Sequence, residues 1–397
     1  MANILLINSF YYPNIGGGAE VMVQIQAEEF LKRGHKVTIL CTGKKTLPPY
    51  ENNGITVYTI GLRNIYWPYR SKRKSIISRV IWHLLDSYNI MMKSAVNSML
   101  VVLRPDFVYC HNLSGFSVAI LDSLKKYSIP FAQVIHDQYW VCPSSDKFSN
   151  GKHCDSQCTS CKLFRLPHRR ISKIAPVLIG VSDFIVQSYE QEGFFEGIPK
   201  HTVHNSRILN IDSAIKKQEN SKLCFGFIGT ISSSKGIEVL LESFVNSKTN
   251  SVLLIAGTGE EELLNELIIK YQSEAIKFIG YADSAKFYTQ IDYLVIPSLW
   301  PDTFPTVAIE SLYSGVPVIA SRIGGLPEIV KHDINGLLFS PGEVKELSEI
   351  FNKIFNGYYN TKLWYDNSKK SVEEFSSISR MIEKYEDIRE SVTNQQT

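Results

Sequence analysis

In 397 residues there is no uninterrupted apolar run near the roughly 20 residues that a membrane-spanning helix requires. The first residues, Met1 to Asn8, also lack a basic stretch followed by a long apolar one. They do not resemble a secretion signal and read as a first buried strand, so the chain is expected to be soluble and cytoplasmic. No Asp-x-Asp pair occurs at any position, and a catalytic metal chelated by such a pair is not indicated. Internal repeats and low-complexity tracts are missing too. What is present is an ordinary globular composition, 44% apolar and 20% charged, which argues against a disordered or fibrous class. The length exceeds one typical domain and points to two.

The net charge of +3 conceals an asymmetry: residues 1–200 hold 23 Lys and Arg against 14 Asp and Glu, the remainder 19 against 25. Arg63, Arg70, Lys72, Arg73, Lys74 and Arg79 fall within residues 63–79 without one acid, interleaved with Tyr66, Trp67 and Tyr69 and followed by Trp82. A basic stretch with aromatics suits an anionic membrane surface, where each cation near the lipid contributes about 1 kcal/mol. A solvated basic helix and loop is the plainer alternative. No nucleic-acid-binding motif accompanies the charge, so nucleic acid is not an expected partner.

Short apolar runs alternate with amphipathic segments, the pattern of a parallel sheet flanked by helices and hence of an α/β fold. Predicted strands in the first half are Asn3–Asn8, Lys36–Cys41, Phe107–Cys110, Phe131–Ile135 and Val177–Val181. A second series runs Cys224–Gly229, Val252–Ala256, Ile276–Ile279, Tyr293–Pro297 and Val316–Ala320. Each is rich in Val, Ile, Leu and Phe, as a strand covered on both faces should be. The polar segment Ile208–Leu223 between them reads as a linker. Two Rossmann-like domains are expected, 1–205 and 206–374, facing each other across a cleft lined by the carboxyl ends of their strands.

The residues that carry chemistry fall at those ends. Gly16, Gly17 and Gly18 precede Glu20 in a loop after the first strand, opening a helix that runs to about Arg33. Three glycines allow close backbone approach to a ligand, and a helix N-terminus offers free N–H groups to an anion. The spacing is not that of a dinucleotide fingerprint, and a plain tight turn is the simpler reading. A second glycine-bounded turn, Gly229 to Gly236, carries Lys235 at a helix start, where it suits a phosphate leaving group or, more plainly, solvent. Asp302 and Glu310 stand eight positions apart, the first before a helix and the second about one and a half turns inside it. Glu310 has Val307, Ala308, Ile309 and Leu312 as neighbours, and an acid on such an apolar face needs a partner, for which sugar hydroxyls are candidates.

From Pro297 through Gly315-Val316-Pro317-Val318 to Gly324-Gly325-Leu326-Pro327-Glu328 the chain resembles the signature of glycosyltransferase family 4, retaining enzymes of the GT-B fold. The resemblance spans nearly the whole chain, including the Gly16–Glu20 loop, His111-Asn112, His136-Asp137, Ser182, Asn205 and Ala256-Gly257-Thr258-Gly259. It implies a hexosyltransferase that moves a sugar from a nucleoside diphosphate sugar, UDP- or GDP-linked, to a saccharide hydroxyl, with no catalytic metal or other cofactor. Glu310 would hold the donor ribose and Lys235 the diphosphate. Asp302, one methylene shorter than the family's first glutamate, would contact sugar hydroxyls. Gly229, Thr230, Gly257, Gly280, Phe304, Pro305, Thr306 and Val307 would complete the donor site, with Thr230 standing where the family usually has an arginine. His136 would lie near the reacting carbon, and Gly16, Gly17, Gly18, Glu20, His111 and Asn112 would line the acceptor side. The domains would close on the donor, and a helix over about 375–390 would return to the first domain. With the basic patch, a lipid-linked acceptor at the inner membrane face is expected, as in polysaccharide or O-antigen assembly. Two rivals share the architecture: a GT-B-fold nucleotide-sugar epimerase, and a non-catalytic nucleotide-sugar-binding protein suggested by Thr230 and Asp302.

Four cysteines stand apart: Cys142, Cys154, Cys158 and Cys161, spaced C-x11-C-x3-C-x2-C. In a cytoplasmic chain such a cluster reads as a structural zinc site or as reduced packing thiols, rather than as disulfides. Cys41, Cys110 and Cys224 lie in predicted strands and read as core.

Overall fold

A computed structural model of the protein describes residues 1–69, 74–149, 151–207 and 222–395. The chain divides into two units: Met1–Lys147, Cys154–Ser206 and Ile378–Thr397 form the first, Phe148–His153 and Arg207–Ser377 the second. Ser206 thus ends the main part of the first unit, and the returning helix begins at Ile378 rather than near 375. A correction concerns the short hairpin Phe148–His153, expected in the N-terminal half but grouped with the second unit. Residues 208–221 of the expected linker lie outside the described residues.

The first unit is built on an eight-stranded sheet. Its strands are β1 (Asn3–Ile7), β2 (Lys36–Gly43), β3 (Leu47–Asn52), β4 (Ile55–Gly61), β5 (Phe107–Cys110), β6 (Phe131–Ile135), β9 (Leu178–Gly180) and β10 (Lys200–Thr202). The hairpin strands β7 (Phe148–Ser149) and β8 (Lys152–His153) stand apart from it. Sheet order is β10-β9-β6-β5-β1-β2-β4-β3, parallel except for the antiparallel β3–β4 edge pair. The order reverses between β1 and β5, so ligands are expected just beyond those strand ends. Of this sheet, β3, β4 and β10 went unrecognised in the sequence. β4 alternates buried Ile55 and Val57 with half-buried Thr56 and Tyr58, and β3 carries two prolines, which suits an edge.

The C-terminal helix Ile378–Asn394 belongs to this unit. Met381, Ile382, Tyr385, Ile388 and Val392 recur at helical spacing and pack into the same core as Phe30, Val37 and Tyr109. The Tyr109 hydroxyl donates to the Tyr385 carbonyl at 2.8 Å, and Glu386 accepts from Arg33 and pairs with His35.

The second unit holds six parallel strands: β11 (Cys224–Ile228), β12 (Val252–Ala256), β13 (Ile276–Gly280), β14 (Tyr293–Ile296), β15 (Val318–Ser321) and β16 (Gly336–Phe339). Their order is β13-β12-β11-β14-β15-β16, with the reversal between β11 and β14. The loops after β11 and β14 are therefore the favoured ligand position, and these are the loops that carry Lys235 and Asp302.

Candidate functional site

In the second unit the two switch-point loops are stitched to each other. The N–H groups of Leu299 and Trp300 both donate to the Ser234 carbonyl at 3.0 Å. Gly236 takes φ +72°, and a Cβ there would come within 1.9 Å of the Pro297 carbonyl oxygen, so only glycine lets the loops meet this closely. Gly257 is equally constrained: at φ +141° a Cβ would sit 1.8 Å from the Gly229 oxygen. Its N–H donates to Gly280, itself at φ +71°. The glycines expected at the donor site thus lie side by side, at the ends of β11, β12 and β13.

Lys235 occupies a short 3-10 turn before the helix Ile237–Ser247. Its ammonium forms an ion pair with the Asp302 carboxylate and stands 4.6 Å from the centre of the Trp300 ring. Both charged side chains are half-buried. Asp302 and Lys235 are therefore partners, an arrangement that residue spacing alone did not reveal. Thr230 is exposed, leaving Lys235 the cation of this loop. The helix Thr306–Tyr313 begins just after Phe304 and Pro305, so the N–H groups of Thr306 and Val307 precede its first internal acceptors. The Phe304 ring is spent on packing, edge-on to Phe375 at 5.4 Å.

Glu310 is 5% exposed. Its Oε1 accepts from Arg207 at 2.5 Å and its Oε2 from the Tyr288 hydroxyl at 3.4 Å. Burial, with the Glu310 charge second, holds the Tyr288 phenol well above its usual pKa, so it remains a donor. Arg207 and Tyr288 were absent from the sequence reading. Arg207 lies 103 positions from its partner, and no local pattern marks it.

In the first unit, Gly16, Gly17 and Gly18 form an exposed loop ahead of the helix Gly18–Lys32. None has positive φ, and a Cβ at Gly17 or Gly18 would meet no backbone within 4 Å. Nothing in the protein itself demands glycine there, so the loop leaves open space in front of the helix start. Glu20 is buried, and its carboxylate accepts the Gly17 N–H at 2.7 Å, which completes the helix cap. A polar hollow of about 330 Å³ adjoins the loop, lined by Tyr11, Glu20, Gln24 and Asn52 among others.

His111 follows β5 and His136 follows β6, and their rings stack with Nδ1 and Nε2 2.9 Å apart. Burial, then the neighbouring His136, drives the His111 pKa well below its ordinary value; burial lowers His136 to about 4. Both are neutral near pH 7, with one donating to the other, and His111 Nε2 has no hydrogen-bond partner among the described residues. Asn112 donates to the Asp137 carboxylate at 3.1 Å, and burial raises Asp137 to about 6. His136 is half-buried and suited to exchange hydrogen bonds as a neutral imidazole.

The basic patch requires a correction. Its aromatics are structural: Trp67 and Tyr69 pack on Phe10, and Trp82, 4% exposed, donates to the Tyr66 carbonyl. The apolar side chains that reach solvent are Ile65 and, along one side of the helix Ile76–Ser87, Ile76, Ile77, Val80, Ile81 and Leu84, with Lys74 and Arg79 exposed beside them. Arg70, Lys72 and Arg73 lie outside the described residues. No helix among the described residues is long and apolar enough to cross a membrane.

Two parallel-sheet halves in one chain, each gathering its polar residues where strand order reverses, have the architecture of a GT-B glycosyltransferase. Solved structures agree on the fold: a sucrose-phosphate synthase from Thermosynechococcus elongatus (TM-score 0.76, 16% identity, 99% of both chains) and Anabaena HepE in complex with UDP and glucose (TM-score 0.71, 17% identity, 98% of this chain and all of that one). Residues 16–206 match Glycosyltransferase Family 4, and residues 210–371 match Glycosyl transferases group 1. The chain belongs to the family 4, group 1 glycosyltransferases and is a transferase of that class. A protein in the cps region of Klebsiella pneumoniae is 29% identical to it, over 91% of this chain and 98% of that one. The Staphylococcus aureus capsular polysaccharide biosynthesis glycosyltransferase CapM is 27% identical over 42% of this chain and 46% of its own.

Proposed function

We propose that the protein moves a sugar from a nucleoside diphosphate sugar to a hydroxyl of a saccharide acceptor, with retention of configuration, during assembly of a surface polysaccharide. The observation that carries this reading is the placement of Lys235 and Glu310 on the stitched loops and helix at the second unit's switch point. A carboxylate offers about four lone-pair sites, and Glu310 has two protein partners named above, which leaves acceptor capacity for ribose hydroxyls. Lys235, together with the amides that open the helix at Thr306, meets the charge that develops on the leaving diphosphate. The bond from the anomeric carbon to the phosphate oxygen breaks, the acceptor oxygen forms its bond on the same face, and the acceptor proton passes to the departing phosphate. His136, neutral at working pH, accepts or donates a hydrogen bond to a sugar hydroxyl.

A uridine diphosphate sugar is the first donor to try, because HepE was crystallised with UDP and with UDP-glucose; guanosine diphosphate sugars come next. The cps-region and capsular relatives support a polysaccharide product. The exposed apolar side of the helix Ile76–Ser87 and its flanking cations support a lipid-linked acceptor, with the protein resting on the inner face of an anionic membrane. The test is release of nucleoside diphosphate from a donor panel, with and without lipid-linked saccharide extracts. Acceptor-dependent release from one donor, abolished by Lys235→Ala, is the expected result; release from none would refute the reading. Separately, wild type should sediment with phosphatidylglycerol vesicles at low salt, and Ile77→Glu/Leu84→Glu should not. Equal sedimentation of the two would remove the membrane from the account.

A further inference from the structure

Beyond the transfer site, the loop that follows His136 and Asp137 gathers the four cysteines of the C-x11-C-x3-C-x2-C pattern, all of them free. Cys161 neighbours both Cys142 and Cys158, and Cys154 lies within electrostatic range of the same two. Cys142 is buried, Cys154 and Cys161 are half-buried, and Cys158 is exposed. The Cys142 sulfur pairs with the Ser144 hydroxyl and the Cys158 sulfur with the Ser160 hydroxyl, each at 3.1 Å.

The backbone amides of Ser144 and Lys147 lie near the Cys142 sulfur, and those of Ser160 and Cys161 near the Cys158 sulfur. Cys158 is the N-cap of the helix Thr159–Phe164 and Cys161 sits in its first turn, so the C-x2-C pair lies across a helix start. Amide donors converging on two separate cysteines are what thiolate metal ligands require from their surroundings. Further bonds tie the loop together: Cys154 N–H donates to Lys147 O at 2.7 Å, Cys142 N–H to Gln138 O at 2.9 Å, and the Arg165 guanidinium to Cys142 O at 3.3 Å.

We propose that Cys142, Cys154, Cys158 and Cys161 are the four ligands of a structural zinc ion that pins the loop carrying His136 and Asp137. An all-sulfur tetrahedral set selects zinc or iron, and a redox-silent structural role favours zinc. No three of these sulfurs lie mutually within 4.8 Å, while zinc thiolates stand about 3.8 Å apart given Zn–S bonds of about 2.3 Å. Binding of the ion would require the outer thiols to move inward, and such a contraction would restrain residues 142–161. This site is separate from the donor residues of the second unit, and its test does not depend on turnover.

The full-length protein, expressed with zinc and purified without chelator under reducing conditions, should carry about one zinc per chain by elemental analysis. Cobalt(II) exchanged into the wild type should give thiolate-to-metal charge-transfer bands and the intense visible bands of a tetrahedral site. Cys158→Ser/Cys161→Ser should lose the metal, while Cys224→Ser, changed in a strand of the other unit, should keep it. Chelation should speed proteolytic cleavage within 143–160. Zinc-free protein whose thiols react freely, a disulfide recovered among the four, iron in place of zinc, or a cobalt spectrum without thiolate bands would each overturn the assignment. The cobalt measurement uses only the wild type, so a variant that fails to fold does not rescue the idea.

Discussion

Glu310 is the residue on which the donor-site reading can be pressed hardest. Glu310→Gln keeps the shape of the side chain and a hydrogen-bonding contact for the Tyr288 hydroxyl, and removes the negative charge. Arg207, whose side chain is 41% exposed, returns to solvent when the charge is gone, so the unliganded variant should lose at most about 1 kcal/mol of stability, as for a partly exposed ion pair. The effect on the donor is larger. Hydrogen bonds between a charged group and hydroxyls are worth about 1.5–3 kcal/mol, which corresponds to roughly 10- to 150-fold in Kd. At a donor concentration 100 times the wild-type Kd, stabilisation of the wild type is about 2.7 kcal/mol, and that of the variant falls to about 0.3–1.3 kcal/mol. For a unit of this size the thermal shift contracts from about 5–11 °C to about 1–5 °C. The assay is a thermal-shift titration with uridine and guanosine diphosphate sugars, with Lys235→Ala run in parallel. If Glu310→Gln kept the full ligand-induced shift while Lys235→Ala abolished it, Glu310 would not contact the donor, and its burial would have to be credited to Arg207 and Tyr288 alone.

The histidine pair sets a pH dependence. Folding holds His136 down at about 4, whereas an unfolded histidine titrates near 6.5, so unfolding takes up a proton between those values. Stability is full above about pH 7 and falls as the pH drops towards 4, by up to about 3 kcal/mol from this residue. Asp137, raised to about 6, acts in the opposite sense by binding a proton in the folded state over the same range. His136→Gln should therefore flatten the acid-side loss seen in urea unfolding between pH 7 and 4.5, and parallel profiles for the two proteins would contradict the neutral pair. In the C-terminal helix, Ile382 is fully buried, and Ile382→Ala should cost about 2–5 kcal/mol by emptying that space. Denaturant unfolding followed by a probe in the first unit reads this directly; a loss under about 1 kcal/mol would mean that the helix is not part of that core.

The strand runs were legible because a parallel strand covered on both faces needs side chains that are apolar almost throughout. All ten expected strands lie within two residues of the observed ends, for example Phe107–Cys110 and Val252–Ala256 without change, and only Val316–Ala320 is shifted as a whole, to Val318–Ser321. The returning helix was legible from family resemblance, and its apolar spacing at Met381, Tyr385 and Ile388 gives the physical basis. β3 was not legible, since Leu47-Pro48-Pro49 carries no strand signature and its edge position needs none.

The local chemistry, too, was set by near neighbours in the chain. Gly16 to Glu20 contain both the cap and the carboxylate that completes it, three residues apart. What the chain order alone could not decide is which distant groups meet. Glu310 faces Arg207 across 103 positions, Lys235 reaches Asp302 across 67, and Gly257 must be glycine because the carbonyl of Gly229 lies against it. The aromatics of the basic patch were misjudged for the same reason: whether a tryptophan faces solvent or Phe10 depends on the rest of the fold. Periodicity and turn chemistry are properties of contiguous residues, and so the sequence by itself determined the elements and the strand ends on which function sits. Ion pairs and close backbone approaches depend on where separate elements come to rest, and only the tertiary structure decided those.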